Sequence, residues 1–341
     1  RLVRLANGLA EDDEVGFEAV MEQRDLGTLN RVLNLETGSL ACEAALKLAL
    51  ARFYRSQEDQ PEPRYAGRVP VVLVMGSDEG TLHANYHGTA VLNQATRGMW
   101  PELLGGMEEA GLLRVAAVRP NHIEDLDAAF TRWEQPPYKL AVFFHEIVMM
   151  NYGARLLSEE FLHRAYALSE AHDVPVVCDE IQSCVWSPEL LQFREYGLRP
   201  SAVALGKGFP GGEYPASRLL FSAALDCLPQ FGALVTNGQE ELASLAWLVT
   251  LEWTQANAEV TASVGDYYEE RLRELASRRP DQLVGIEGRR HMGALAFTGL
   301  EAARGFAALL VEGGLDASAQ TYKSDCPPVV LTKLPLIACP R

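Results

Sequence analysis

Short apolar, β-branched runs alternate along this chain with helix-patterned stretches, and that rhythm limits its fold more than any other feature. Val69–Met75 (VPVVLVM), Leu140–Phe144, Val174–Cys178 and Ser217–Phe221 each read as a buried parallel strand. A strand wetted on one side would alternate apolar with polar residues instead. Between them, residues 40–54 repeat apolar side chains at helical spacing, and residues 158–172 open on a serine N-cap followed by two acids in the first turn. The pattern predicts a mostly parallel sheet covered by helices on both faces. Sheets of that kind collect ligands at the carboxyl ends of their strands. A chain of 341 residues suits one large and one small domain. From Gln239 to about Ala276 it is mostly helix-compatible, with Gly265 as the point where a helix would bend or break. Beyond it, His291–Thr298 reads as a strand and Glu301–Glu312 as a helix, while 55–68, polar and proline-rich, reads as a loop.

Two residues carry the chemical signal. Asp179 closes an apolar strand, where it can hold a cation. Lys207 follows another strand among small residues, which suits a desolvated amine better than a solvated surface charge. An amine able to form an imine, with a carboxylate able to keep a pyridine nitrogen protonated, is the minimal protein contribution to pyridoxal phosphate (PLP) chemistry. Gly206 and Gly208 allow unusual backbone angles and close approach of a ligand to Lys207. Thr37, Gly38 and Ser39 precede a helix, and the N–H groups of a helix start make an anion site.

Four segments extend that signal: TGSLACEAALKLA (37–49), YHG (86–88), DEIQS (179–183) and GKGFPGGEYPAS (206–217). In this order they resemble the motifs of the class III aminotransferases (ornithine/GABA/ω-amino-acid type), PLP-dependent enzymes of fold type I. The resemblance runs from about Asn34 to Trp253. It implies a large domain with a mostly parallel sheet of the seven-stranded type plus a small C-terminal α/β domain. The division expected is 1–33 as an N-terminal segment, shorter than the family's, 34–255 as the PLP-binding domain and 256–341 as the small domain.

The resemblance also assigns roles. Lys207 would form the Schiff base and Asp179 would pair with the ring nitrogen. Gln182 would donate to the phenolic oxygen. Ile181 and Tyr86 would cover the two ring faces, and Gly38 and Ser39 would bind the phosphate. His87 is either a direct contact or a structural histidine. Glu146 aligns with an acid near the cofactor. Thr236, in VTNGQEE, resembles a threonine that reaches the phosphate of a neighbouring subunit, which implies a homodimer with shared sites. The implied reaction moves an amino group from an amine or amino acid to a keto acid or aldehyde, so the expected partners are small amine and keto-acid substrates. A PLP-dependent aminomutase, decarboxylase or epimerase on the same scaffold is the rival enzyme. A silent PLP-binding relative is the rival outside catalysis, and intact Lys207, Asp179 and Gln182 argue against it.

Departures from the family pattern gather where substrate would be read. Leu40 replaces a glutamate, Met150 and Asn151 replace a glycine and a frequent acid, and Cys184 replaces a glycine with Trp186 close behind. Near the C-terminus, where glutamate-using relatives place an arginine, LTKLPL offers only Thr332 or Lys333. A lysine cannot grip a carboxylate with a bidentate fork. Poor use of 2-oxoglutarate is therefore expected, with an apolar wall from Trp186 and Cys184. Arg155 and Arg218 are the arginines whose presence in the pocket would overturn this.

The net charge of −16 and pI near 4.9 lack the basic footprint of nucleic-acid binding. No apolar run approaches the roughly 20 residues of a membrane span, and no leader sequence is visible. Six scattered cysteines with no CxxC pair read as reduced thiols, which predicts a cytoplasmic protein. The GxGxxG match at 206–211 is interrupted by Pro210, His83 and His87 lack further ligands at metal spacing, and no GxSxG elbow exists. No metal is expected.

Overall fold

The computed structural model describes residues 1–212, 214–236, 238, 240–320 and 326–338. Glu213 of the lysine loop, Gln239 at the start of the expected helix, and Cys339 lie outside them. Helices α1 (Leu2–Ala6) and α2 (Glu14–Glu22) lead into β1 (Leu29–Leu35) and α3 (Gly38–Leu50). Next come β2 (Val69–Met75), α4 (Val91–Ala95), α5 (Pro101–Glu109), β3 (Arg114–Val118), α6 (Ile123–Trp133) and β4 (Tyr138–His145). The pair β5 (Val148–Met149) and β6 (Arg155–Leu156) precedes α7 (Glu159–Ala171), β7 (Val176–Asp179), α8 (Gln192–Glu195), β8 (Ala202–Leu205) and β9 (Ser217–Ser222).

One seven-stranded sheet runs in the order β1-β9-β8-β7-β4-β2-β3. Five neighbours, β3, β2, β4, β7 and β8, are parallel. β9 is antiparallel to both β8 and β1, which corrects the reading of 217–221 as a parallel strand. A parallel return needs a crossover of about a dozen or more residues, usually helical. The connection 206–216 has no helix among its described residues, so β9 folds straight back beside β8. β1 and β3 are the sheet's edges and carry half-buried positions, so neither shows the apolar run that marks a central strand.

The central strands feed two cores. Val71, Leu73 and Met75 point into one, with Phe130 and Trp133 of α6 and Phe161 and Leu162 of α7. Val72 and Val74 point into the other, against Ala41, Ala44, Ala45 and Leu48 of α3. Alternate residues of a strand face opposite sides, so a strand sandwiched by helices must be apolar throughout.

The chain then continues through α9 (Glu241–Ala256) and α10 (Ala258–Arg278). The break falls at Asn257, and Gly265 lies inside α10. There glycine serves packing rather than bending, since a Cβ would sit 2.8 Å from Arg290 Cβ and from His291 Nδ1. Strands β10 (Leu283–Arg289), β11 (Met292–Phe297), β12 (Ser318–Ala319) and β13 (Val329–Lys333), with α11 (Leu300–Glu312) between β11 and β12, build a second sheet. Its order is β10-β11-β13-β12, antiparallel throughout. Leu272 and Ala276 of α10 and Ala303 and Ala307 of α11 pack on Leu295 and Phe297 beneath it.

Candidate active site

Three adjacent parallel strands end at one place. β4 is followed by Glu146, β7 ends on Asp179, and β8 is followed by Gly206 and Lys207. Glu146, Asp179 and Lys207 all line a cavity of about 1100 Å³. Lys207 takes a φ of 48°, in the left-handed region that non-glycine residues seldom adopt. Such strain concentrates at functional sites. Lys207 is exposed, not buried as its sequence setting suggested. The reason is spatial: its loop leaves the sheet at the strand ends and faces the open cavity.

Asp179 is buried and fully engaged on one oxygen. Its Oδ2 accepts from His87 Nδ1 at 2.9 Å and from the Cys42 thiol at 3.4 Å, and its Oδ1 accepts from Ile181 N at 3.1 Å. The ligand atoms of Cys42, His87 and Asp179 lie within 4.8 Å of one another, held by these hydrogen bonds. Burial, with the Asp179 carboxylate beside it, pushes the Cys42 thiol well up from its ordinary range. His87 is buried behind Asp179, bonded to it, and does not line the cavity; its Nε2 has no hydrogen-bond partner among the described residues. Glu180 points away from the cavity. Its two carboxylate oxygens accept from Gln192 N at 2.7 Å and Phe193 N at 2.6 Å, at the start of α8. Burial raises its pKa to about 7.

The start of α3 forms the far wall. Thr37 caps the helix, its side chain accepting from Leu40 N, and Gly38 and Ser39 of the first turn line the cavity with Tyr86 and Gly88. The approach is tight. A Cβ on Gly38 would lie 2.4 Å from Ile181 Cδ1, and one on Gly88 would lie 2.6 Å from Ser39 Cα. Ser39 Oγ is tied to Thr89, accepting its N–H at 3.1 Å. Ile181 and Gln182 complete this half of the cavity.

The opposite half comes from segments that sequence motifs marked weakly or not at all. Trp186 packs on Gly208, where a Cβ would approach it to 2.5 Å, and donates from Nε1 to Leu334 O at 3.3 Å. Lys333, at the end of β13, holds its Nζ 3.6 Å from the centre of the Trp186 ring and donates to Gln182 O at 2.6 Å. Burial lowers the Lys333 pKa to about 8. Val249, Thr250, Trp253 and Thr254, one face of α9, join Leu334, Leu336 and Ile337 along the mouth. Their i, i+1, i+4, i+5 spacing was the available signal for that face. Among the described lining residues the cations are Lys207 and Lys333. Arg155 pairs instead with Asp78 at 2.8 Å and Glu287 at 3.3 Å, and Arg218 is buried over Trp247. Thr236 is exposed and lies outside this cavity's lining.

The family model described as aminotransferase class-III matches residues 6–321. The chain belongs to the class III aminotransferase family. It is 28% identical over 200 residues to an ornithine aminotransferase of Schizosaccharomyces pombe, covering 56% of this chain and 42% of that protein. It is 25% identical over 290 residues to the L-lysine-epsilon aminotransferase of Streptomyces clavuligerus, covering 78% and 60%. The chain thus spans about half the length of these curated relatives. Among solved structures, a transaminase from the marine bacterium Virgibacillus superposes with a TM-score of 0.70 at 17% identity, covering 98% of this chain and 76% of that one. The ornithine aminotransferase of Toxoplasma gondii, whose structure shows partial occupancy of PLP at its active site, gives 0.69 at 19% identity, covering 97% and 73%. At these identities the structures establish the shared fold.

Proposed function

We propose that this chain is a PLP-dependent transaminase that moves an amino group from an amine or amino acid to a carbonyl acceptor. The observation that carries the reading is the meeting of Lys207, Asp179 and Gln182 at the ends of adjacent parallel strands, in one cavity with the start of α3. The residues fit the cofactor. Gly38 and Gly88 let the start of α3 pack closely on Ile181 and on the Tyr86 loop at the cavity wall, where a Cβ would clash. The Asp179 carboxylate is held in place by buried donors and borders the cavity. When bound, PLP supplies an electron sink for the carbon that loses its proton.

The chain's own residues do the rest. With the cofactor bound, the Lys207 amine would hold it and, when free, would act as the base that moves the proton at the substrate carbon. Asp179 would keep the ring nitrogen protonated. Gln182 would donate to the phenolic oxygen, and Ile181 and Tyr86 would flank the ring. Gly38 and Ser39 would offer N–H groups to the phosphate. Glu146, buried just after β4, borders the cavity beside them. The chain works as a cytoplasmic homodimer, with Thr236 serving the partner's phosphate. Residues 34–255 form the cofactor domain, 256–341 the small domain, and 1–33 an N-terminal segment. Cys42, Cys178, Cys184 and Cys227 form no disulfide among the described residues, which suits a reducing compartment, and no helix among the described residues is long and apolar enough to cross a membrane.

The substrate side of the cavity favours one carboxylate and an apolar body. Lys333 is one monodentate cation, and Trp186, Val249, Trp253, Leu336 and Ile337 are apolar surface. A dicarboxylate would lack its second anchor. The test is a panel of amines against keto acids with the PLP-loaded protein. Amino-group exchange with aromatic or aliphatic monocarboxylates is expected. A yellow protein that never exchanges would contradict transamination, and 2-oxoglutarate as best acceptor by a wide margin would contradict the substrate class.

A further inference from the structure

Asp179 is held by two side chains that belong to other elements, and Cys42 is the one that no functional reading above assigns. A carboxylate offers about four lone-pair positions, two on each oxygen. Oδ2 uses both of its own, on His87 Nδ1–H at 2.9 Å and on the Cys42 thiol at 3.4 Å. Oδ1 uses one, on Ile181 N–H at 3.1 Å. One position on Oδ1 therefore remains for a donor in the cavity. Cys42 is fully buried on α3, one turn beyond Gly38. The thiol is too deep to serve as a nucleophile, and its carboxylate neighbour disfavours ionisation further. It can act only as a hydrogen-bond donor.

We propose that Cys42 is a positioning residue that fixes the plane of the Asp179 carboxylate, so that Oδ1 alone faces the cavity. Because Cys42 and the Gly38–Ser39 turn share α3, one helix sets both the wall beside Gly38 and the orientation of the acid opposite it. Without the thiol, Oδ2 keeps a single donor and the carboxylate gains freedom to turn about its Cβ–Cγ bond. A packing role alone predicts no link between the thiol's hydrogen bond and Asp179.

Infrared spectroscopy of the S–H stretch tests this without any turnover. The unmodified protein minus Cys42→Ala isolates the Cys42 band, which should lie below the frequency of an unbonded thiol. Asp179→Asn should shift that band upward, an effect visible against the unmodified protein even if Cys42→Ala does not fold. A Cys42 band at the unbonded frequency, unmoved by Asp179→Asn, would overturn the proposal. The kinetic arm rests on the transaminase reading. Cys42→Ala should lower kcat about fivefold to tenfold, the worth of one net hydrogen bond, with KM for the amino donor held within twofold. Cys42→Ser, which keeps a donor, should recover most of that loss. Unchanged kcat in Cys42→Ala, or no recovery with serine, would overturn the proposal. Absence of exchange in the unmodified protein would instead defeat the transaminase reading, and the infrared result would still decide this one.

Discussion

At the scale of single residues, neighbouring acids on one strand end have opposite duties. Asp179 faces the cavity with donors behind it, and Glu180 faces the interior with two backbone N–H groups in front of it. For Asp179→Asn we expect the fold to be kept and turnover to fall by on the order of 3 kcal/mol in barrier, roughly a hundredfold, because a preorganised charge is lost. Steady-state kinetics beside a far-UV spectrum checks it, and near-normal turnover would place the acid elsewhere. Glu180 governs a stability effect. Burial raises its folded pKa to about 7, above the 4.5 of an exposed glutamate. Between those values the folded state holds the extra proton, so stability from this group is present at low pH and is lost as pH rises through about 7. Melting temperatures measured from pH 5 to 8 should fall less steeply in Glu180→Gln than in the unmodified protein. Parallel curves would contradict the assignment.

Among elements, the loop carrying Tyr86 and His87 is pressed against the start of α3 through a glycine. Gly88 has a φ of 92°, and a Cβ there would meet Ser39 Cα at 2.6 Å. Gly88→Ala should destabilise the protein by about 1–3 kcal/mol and weaken PLP retention, since the contact is to backbone and neither side can yield cheaply. Urea unfolding together with cofactor dialysis measures both. Much of this architecture is legible in the sequence. The central strands are apolar because both faces are covered, and the serine cap of α7 appears as read, its Oγ accepting from Phe161 N. What is not legible is direction and distance. Apolar content cannot tell that β9 runs backward, because that depends on the connection before it. Helical spacing shows one face of α9 but not what it faces, and Lys333 reaches Trp186 only because β13 returns from the second sheet. The Cys42 contact joins two motifs through space and leaves no local pattern at all.

For the molecule as a whole, α9 is an apolar helix left half open. Leu242, Leu245 and Val249, spaced along one face, are 54%, 56% and 60% exposed. Surface of that kind marks an interaction site, and in a homodimer it would be covered. If the proposed homodimer covers this face, Leu245→Glu should shift it to monomer in sedimentation, and lower PLP retention if Thr236 serves the partner. A monomeric, fully active unmodified protein would contradict the shared site.

The central claim, that Lys207 is the amine that takes up the cofactor, has a built-in rival, because Lys333 is the other cation among the described residues lining the cavity, and burial lowers its pKa to about 8, below that of an ordinary lysine. Borohydride reduction of the PLP-loaded protein followed by peptide mapping separates them. The expected result is one stable pyridoxyl label on Lys207, lost in Lys207→Ala together with turnover. A label on Lys333, or on any other lysine, would contradict the account.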